Sequence, residues 1–180
     1  MKRYDCIFLD RDGTLNPDPG YIKCINEFQF YSFTIKSLIK LAENRNRFCI
    51  VSNQSGISRG LIIKKDLDEI HFYIKNEFKR YGIPLLEIFV STDHPDRATH
   101  RRKPGVGMFL DAQEKFGVNL EDSLMIGDSF GDMKSAALLG MDRMLVLTGL
   151  GIETLSSIPK EESPTYIVKN LSYGADILCQ

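Results

Sequence analysis

The sequence predicts an α/β fold built on a doubly wound parallel sheet, and two observations predict it. Short β-rich apolar runs alternate with segments whose apolar residues recur at three- and four-residue spacing, as strands alternate with amphipathic helices. The first four apolar runs also give way to polar clusters, and ligands of such sheets bind beyond the C-terminal strand edges. The loops after the first four strands therefore become walls of one site.

The first strand is expected at residues 4–9. Residues 13–29 are rich in Pro, Gly and Asn, including Asn16-Pro17-Asp18-Pro19-Gly20-Tyr21. They are too broken for a long element and too long for a tight turn, and read as a flap over the strand end. Ile35, Leu38, Ile39 and Ala42 mark one face of a helix. Residues 48–51 are the second strand, feeding the polar loop Ser52-Asn53-Gln54-Ser55-Gly56.

Leu67, Ile70, Ile74 and Phe78 share the face of another helix, with Asp66 near its favourable N-terminal end. Gly82 and Pro84 stop it. A third strand at 87–90 precedes a polar, basic loop at 91–104, and Phe109, Ala112 and Phe116 place a helix that Gly117 caps. Residues 124–126 form a fourth strand ending in Gly127-Asp128-Ser129. Met133, Ala136 and Ala137 suggest the next helix and 144–147 a fifth strand. After Thr148-Gly149 the pattern is less regular, with Tyr166-Ile167-Val168 as a short edge strand.

A chain of 180 residues fits one domain, spanning 1–180. Its 23 Lys and Arg against 24 Asp and Glu leave a net charge of −1, which gives no electrostatic reason to expect nucleic acid or an anionic membrane as partner. No apolar run approaches the ~20 residues that span a bilayer. Asp5 and Asp10 interrupt what would be the apolar core of a leader beginning Met1-Lys2-Arg3. A cytoplasmic monomer acting on a small molecule is expected. Cys6, Cys24, Cys49 and Cys179 form no Cys-x-x-Cys pair and read as reduced, with Cys6 and Cys49 buried in strands.

Chemistry concentrates where the first strand ends. Asp10 and Asp12 stand two residues apart, and alternate residues of an extended segment share a face. Carboxylates forced together repel unless a cation lies between them, and Mg²⁺, a hard ion that takes oxygen ligands, suits the pair. Each polar cluster has a bland reading when taken singly. Asp-Gly is a common turn, Asp128 a helix N-cap, and Asp132 a helix-surface charge. Lys103 with Arg101 and Arg102 is a solvated basic run, and Ser52-Asn53-Gln54 an ordinary turn. Their agreement at successive strand ends favours a shared site.

Asp10-Arg11-Asp12-Gly13-Thr14, Ser52-Asn53-Gln54-Ser55-Gly56, Arg102-Lys103-Pro104 and Gly127-Asp128 with Asp132 resemble, in order, the four motifs of the haloacid dehalogenase (HAD) superfamily. More narrowly, the chain resembles the branch holding the heptose bisphosphate phosphatase of lipopolysaccharide synthesis and histidinol-phosphate phosphatase. The resemblance runs from Phe8 to about Gly149. It implies a HAD-like Rossmannoid fold with a short flap and no large cap domain, and a Mg²⁺-dependent phosphomonoester hydrolase working through an aspartyl-phosphate.

On that resemblance Asp10 is the nucleophile, and a carboxylate needs no base to activate it. Asp12 is the acid and base, and crowding by Asp10 and Asp128 is expected to raise its pKa while Mg²⁺ opposes the shift. Ser52 and Lys103 contact the phosphoryl oxygens. Asp10, the backbone carbonyl of Asp12, and Asp128 hold Mg²⁺, while Asp132 supports the metal site or Lys103. Asp18, Gly20 and Tyr21 in the flap, with Asn53, Gln54 and Ser55, line the distal substrate site. Arg102 can pair with a second phosphate.

Many members of this branch carry a zinc clip of three cysteines and one histidine before the Arg-Lys-Pro motif. No cysteine lies between Cys49 and Cys179, and Asp93, His94 and His100 make a poor tetrahedral set, so no structural zinc is expected. The leading substrate is D-glycero-D-manno-heptose 1,7-bisphosphate, cleaved at position 7, with histidinol phosphate the alternative. Asp18 suits sugar hydroxyls or the imidazole and ammonium of histidinol phosphate. From another class, a non-catalytic phospho-ligand-binding module would keep the fold, but the intact Asp10, Asp12, Lys103 and Asp128 set argues against it.

Overall fold

A computed structural model describes residues 3–180, so Met1 and Lys2 of the leader-like start lie outside the described residues. Six strands form one sheet: β1 (Cys6–Leu9), β2 (Arg47–Asn53), β3 (Leu85–Ser91), β4 (Leu124–Gly127), β5 (Asp142–Val146) and β6 (Tyr166–Val168). All pairs are parallel, in the order β3-β2-β1-β4-β5-β6. The chain winds outward from β1 in one direction through β2 and β3, then returns to its other side at β4. That reversal beside β1 opens the crevice in which ligands of doubly wound sheets bind.

The four residues of β1 are all buried, because helices cover both sheet faces. Alternation sends Ile7 and Leu9 into one apolar cluster and Cys6 and Phe8 into the other. Leu38 and Leu41 of α1 (Thr34–Glu43) and Ile70, Ile74 and Phe78 of α2 (Lys64–Arg80) fill the first cluster. Phe109 and Ala112 of α3 (Gly107–Phe116) and Ala136 of α4 (Phe130–Leu138) fill the second. Gly117 caps α3 with φ 62°, and Cys6 and Cys49 are buried, both as expected.

Several details depart from the expectations. Beyond Gly149 the chain forms α5 (Gly151–Ser157) and α6 (Leu171–Leu178) rather than irregular backbone. The Asn170 side chain caps α6 by accepting from Ser172 N and Tyr173 N, and Leu171, Ala175 and Leu178 are its buried stripe. Packing of α6 against α1 also corrects the predicted α1 face. Thr34, Ser37, Leu38 and Leu41 are its buried residues, while Ile35, Ile39 and Ala42 are only partly covered. Ala137 is exposed. Strand β2 reaches past Val51, because its register with β3 pairs Ser52 with Val90 and Asn53 with Ser91. Ser52 and Asn53 therefore sit on a strand end rather than in a loop. Among the described residues, no helix is long and apolar enough to cross a membrane.

Candidate active site

Asp10 follows β1 directly, and its N–H donates to Ile126 O at 3.0 Å, fixing the strand end against β4. The chain then turns sharply, with Leu15 N donating to Arg11 O at 2.8 Å and Gly13 N to Asn16 O at 2.7 Å. A cleft of about 260 Å³ opens over this turn. Every residue proposed from the sequence for catalysis, substrate or metal lines it: Asp10, Asp12, Asp18, Gly20, Tyr21, Ser52, Asn53, Gln54, Ser55, Arg102, Lys103 and Asp128. Ile22, Gly56, Ser129 and Leu150 complete the wall.

Lys103 forms the floor and is only 4% exposed. Its Nζ donates to Asp10 Oδ1 at 2.8 Å, Asp132 Oδ1 at 2.5 Å and Val51 O at 2.7 Å, which uses all three of its N–H groups. Burial disfavours the charged amine, but Asp10 and Asp132 outweigh it and raise the pKa above the ordinary lysine value. Lys103 is a fixed cation. Asn53 clamps its backbone, donating from Nδ2 to Lys103 O and accepting from Lys103 N at Oδ1, each at 3.0 Å.

Asp132 is fully buried, not a surface charge. Ser129, rather than Asp128, is the N-cap of α4, and its Oγ accepts from Asp132 N at 3.3 Å. In return Asp132 Oδ2 accepts from Ser129 N at 3.0 Å and Ser129 Oγ at 2.6 Å, closing a capping box. One oxygen thus anchors the helix and the other anchors Lys103. Geometry places Asp132 behind the lysine.

Asp128 is clasped by loops from opposite sides of β4. Gly13 has φ +83° and Gly149 φ +55°, and a side chain at either would run into the Asp128 carboxylate. Leu150 N donates to Asp128 Oδ2 at 2.8 Å, and Thr148 Oγ1 donates to Gly13 O at 2.6 Å, tying the two loops together. One backbone N–H and the distant Thr14 hydroxyl, 3.5 Å away, leave this buried carboxylate poorly compensated. Burial, then the charges of Asp10 and Asp132, push its pKa up to about 8. Burial likewise lifts Asp10 to about 7, aided by Asp132 and Asp12 and opposed by Lys103.

Such under-compensated carboxylates call for a cation. Carboxylate oxygens of Asp10, Asp128 and Asp132 lie within 4.8 Å of one another. Asp132 has both oxygens engaged, so Asp10 and Asp128 are the pair free to bind a hard divalent ion. The donor set fits Mg²⁺.

Asp12 corrects an expectation. Arg11 grips it at both oxygens, from Nε to Oδ1 at 2.9 Å and from Nη2 to Oδ2 at 2.7 Å. Asn16 Nδ2 adds a bond to Oδ1 at 2.8 Å and Gln54 Nε2 one to Oδ2 at 2.7 Å. Burial alone would raise the pKa, but the Arg11 charge and these four hydrogen bonds together lower it below the ordinary carboxylate value. Crowding by the other carboxylates does not decide its charge; Arg11 does. The same Gln54 amide donates to Ser52 Oγ at 2.8 Å, so Gln54 links Ser52 to Asp12 as well as facing the cleft. Arg11 and Asn16 were not singled out from the sequence, although an arginine between two aspartates, with an amide four residues on, was the available signal.

Around the rim, Asp18 Oδ1 accepts from Gly20 N at 2.8 Å and shapes the flap tip. Arg102 Nη1 is buried without a hydrogen-bond partner; burial and the nearby Arg59 charge both lower the arginine's pKa. In the basic loop Asp93 Oδ2 accepts from Thr99 N at 2.8 Å and Thr99 Oγ1 at 2.6 Å, and His94 Nδ1 accepts from Asp96 N at 3.3 Å. Arg101 pairs with Asp111 on α3.

Carboxylates, a buried lysine and a hydroxyl at the switch point define a phosphoryl-handling hydrolase of the HAD type. A HAD-hydrolase-like family model matches residues 100–173. The D-glycero-β-D-manno-heptose-1,7-bisphosphate 7-phosphatase of Photorhabdus laumondii is 33% identical over 174 residues, 92% of this chain and 90% of its own. The D-glycero-α-D-manno-heptose-1,7-bisphosphate 7-phosphatase of the same organism is 31% identical over 150 residues, 79% of this chain and 82% of its own. The crystal structure of D,D-heptose 1,7-bisphosphate phosphatase from B. bronchiseptica, complexed with magnesium and phosphate, has a TM-score of 0.87 at 30% identity over 97% of each chain. The chain belongs to this family of phosphatases within the HAD superfamily.

Proposed function

We propose that the protein hydrolyses D-glycero-D-manno-heptose 1,7-bisphosphate at the 7-phosphate, with Mg²⁺ and through an aspartyl-phosphate on Asp10. The observation that carries this is the presence of two cationic side chains in the lining of one cleft. Lys103 lies on the floor beside Asp10, and Arg102 stands at the rim with an unpaired buried N–H. Arg102 suits the phosphate that does not react, while Lys103, its three N–H groups committed, acts on the reacting phosphate through its charge and its hold on Asp10. Histidinol phosphate carries one phosphate and an ammonium, which Arg102 would repel.

In the first step an Asp10 carboxylate oxygen forms a bond to phosphorus as the ester P–O bond breaks, and Asp12 gives its proton to the departing alkoxide. Resting Asp12 is a carboxylate, so it must gain that proton after substrate arrives. The dianionic phosphate brings negative charge beside Asp12, which opposes Arg11 and raises its proton affinity. In the second step water attacks phosphorus, Asp12 accepts its proton, and Asp10 leaves with the P–O bond electrons. Lys103 holds Asp10 oriented throughout, and Ser52 offers its hydroxyl to a phosphoryl oxygen. Asp10, Asp128 and the backbone carbonyl of Asp12 would hold Mg²⁺, which supplies charge neutralisation between nucleophile and phosphate.

Phosphate release with Mg²⁺ from the α and β anomers of the bisphosphate and from histidinol phosphate tests the reading. We expect kcat/KM for one heptose anomer to exceed that for histidinol phosphate at least about a hundredfold, as loss of a charge-assisted phosphate contact implies. Equal, slow turnover of all three esters would sink the substrate assignment.

A further inference from the structure

Arg102 reaches the cleft from the 91–104 loop, whose residues 96–100 are exposed, so polar bonds rather than apolar packing fix its course. Thr99 gathers four of these bonds. Its N–H and its hydroxyl both donate to Asp93 Oδ2, at 2.8 and 2.6 Å. Its Oγ1 accepts from Arg101 N at 3.2 Å, and its carbonyl accepts from Arg102 N at 3.3 Å. The backbone leading into Arg102 is thus tied through one threonine to one carboxylate. That carboxylate stands at the root of the loop, just past β3, where Asp93 N donates to Ser91 Oγ at 3.4 Å. On the other side of Arg102, Asn53 clamps Lys103. Arg102 keeps Nη1 buried without a partner, so this latch holds a guanidinium that still has an N–H to give.

We propose that Asp93, acting through Thr99, is a positioning residue that holds Arg102 ready for the phosphate that does not react. The role rests on the reading of Arg102 as the contact to that phosphate. A charge-assisted bond from a guanidinium depends on the fixed geometry of its fork, and a loop ordered before the ligand arrives need not be ordered by it. Both Thr99 donors converge on one Asp93 oxygen, so the latch needs an acceptor atom at that place, and an amide oxygen serves. Other ties survive when the latch is cut. Gly107 N donates to His100 O at 2.9 Å, and Arg101 pairs with Asp111, both joining the loop to α3. Lys103 is held independently by Asn53, Asp10, Asp132 and Val51. Recognition of the second phosphate and the chemistry on the first therefore have separate supports.

Steady-state kinetics with Mg²⁺ on the heptose bisphosphate and on p-nitrophenyl phosphate, which has no second phosphate, test the latch. Asp93→Leu is expected to raise KM for the bisphosphate about fivefold, the scale of ordering a rotamer-rich side chain on binding, with kcat within about twofold. Both constants for p-nitrophenyl phosphate should stay within about twofold, which also shows that the variant folds. Thr99→Val should act in the same direction, and the double variant should lose no more than Asp93→Leu alone, because both changes cut one latch. Asp93→Asn, which keeps the acceptor, should hold KM within about twofold of the parent. In an Arg102→Ala background Asp93→Leu should cost nothing further. A bisphosphate KM unmoved by Asp93→Leu, equal losses on both esters, an asparagine variant as impaired as the leucine one, or a loss that persists without Arg102 would each overturn the proposal. Arg102→Ala alone reports on the reading beneath it. An unchanged KM in that variant removes the phosphate contact and the latch role with it, whereas a raised KM beside an unmoved Asp93→Leu removes the latch role only.

Discussion

Asp128 and Asp132 are both buried beside Asp10, yet the same isosteric change to Asn is expected to act on them with opposite sign in metal-free protein. Asp132 is a compensated carboxylate: one oxygen takes Lys103 at 2.5 Å and the other takes Ser129 at 2.6 Å. An amide keeps only one acceptor and turns an N–H group toward the other donor. Losing a charge-assisted bond to a buried lysine costs roughly 1.5–3 kcal/mol, and the spoiled capping box about 1 more. With an m value of roughly 2 kcal/mol/M in urea, Asp132→Asn should lower the unfolding midpoint by about 1.5 M. Asp128 is an uncompensated carboxylate whose pKa stands at about 8, so at neutral pH the folded state resists ionisation that the unfolded chain accepts. Asn keeps an oxygen for Leu150 N and removes that conflict, so Asp128→Asn should raise the midpoint by about 0.5 M, roughly 1 kcal/mol. The assay is urea unfolding followed by far-UV circular dichroism at pH 7.5 with a chelator, since the chain has no Trp to report by fluorescence. If Asp128→Asn destabilises the metal-free protein as much as Asp132→Asn, the division into compensated and uncompensated carboxylates is wrong.

Stability of the chelated protein should fall as pH rises from 6.5 to 8. Over that window Asp10 and Asp128, with pKa values of about 7 and about 8, still hold protons that the unfolded carboxylates have lost, a penalty of up to about 1.4 kcal/mol per pH unit for each proton. His71 acts oppositely but only between its folded value of about 4 and the unfolded value near 6.5, so a flat or rising midpoint above pH 6.5 refutes the assignment. Asp10→Asn should fold normally by circular dichroism but show no p-nitrophenolate burst from p-nitrophenyl phosphate, and a burst at the parental rate would remove Asp10 as nucleophile. Arg102→Ala should raise KM for the bisphosphate about tenfold or more while leaving p-nitrophenyl phosphate, which has one phosphate, within about twofold. Stoichiometric zinc in purified protein, or unfolding by a zinc-specific chelator, would overturn the expectation that the 91–104 loop stands without metal.

The sheet was legible because β1 to β5 are buried on both faces or bounded by Gly and Pro, so period and punctuation agreed in the sequence. The α2 stripe of Leu67, Ile70, Ile74 and Phe78 is buried as its spacing says. The C-terminal helices were obscured for a local reason. In α6 the stripe spans only eight residues and Gly174 interrupts it, sitting where a side chain would meet the Met144 sulfur. In the site, residue types revealed which groups gather but not which neighbour each one touches. Asp12 shows the difference. Counting carboxylates predicted a raised pKa, whereas the fold turns Arg11 inward and folds Asn16 back over a four-residue turn, and both choices are made by backbone geometry rather than composition.

The clasp on Asp128 has a consequence for the chain as it is made. Asp10 leaves the ribosome well before Leu150, whose backbone N–H steadies Asp128, and β1 finds its β4 partner only after residue 124. A nascent chain that has passed β2 and β3 already carries the Asp10–Asp12 edge and half of the sheet, with one side of β1 open. Until β4 emerges, that open side is the unpaired edge of an apolar strand, the kind of surface that pairs with other chains. Asp128 directly follows β4, so its delivery to the site and the sealing of this aggregation-prone edge are one late event, and truncations ending before residue 124 should be insoluble as well as inactive.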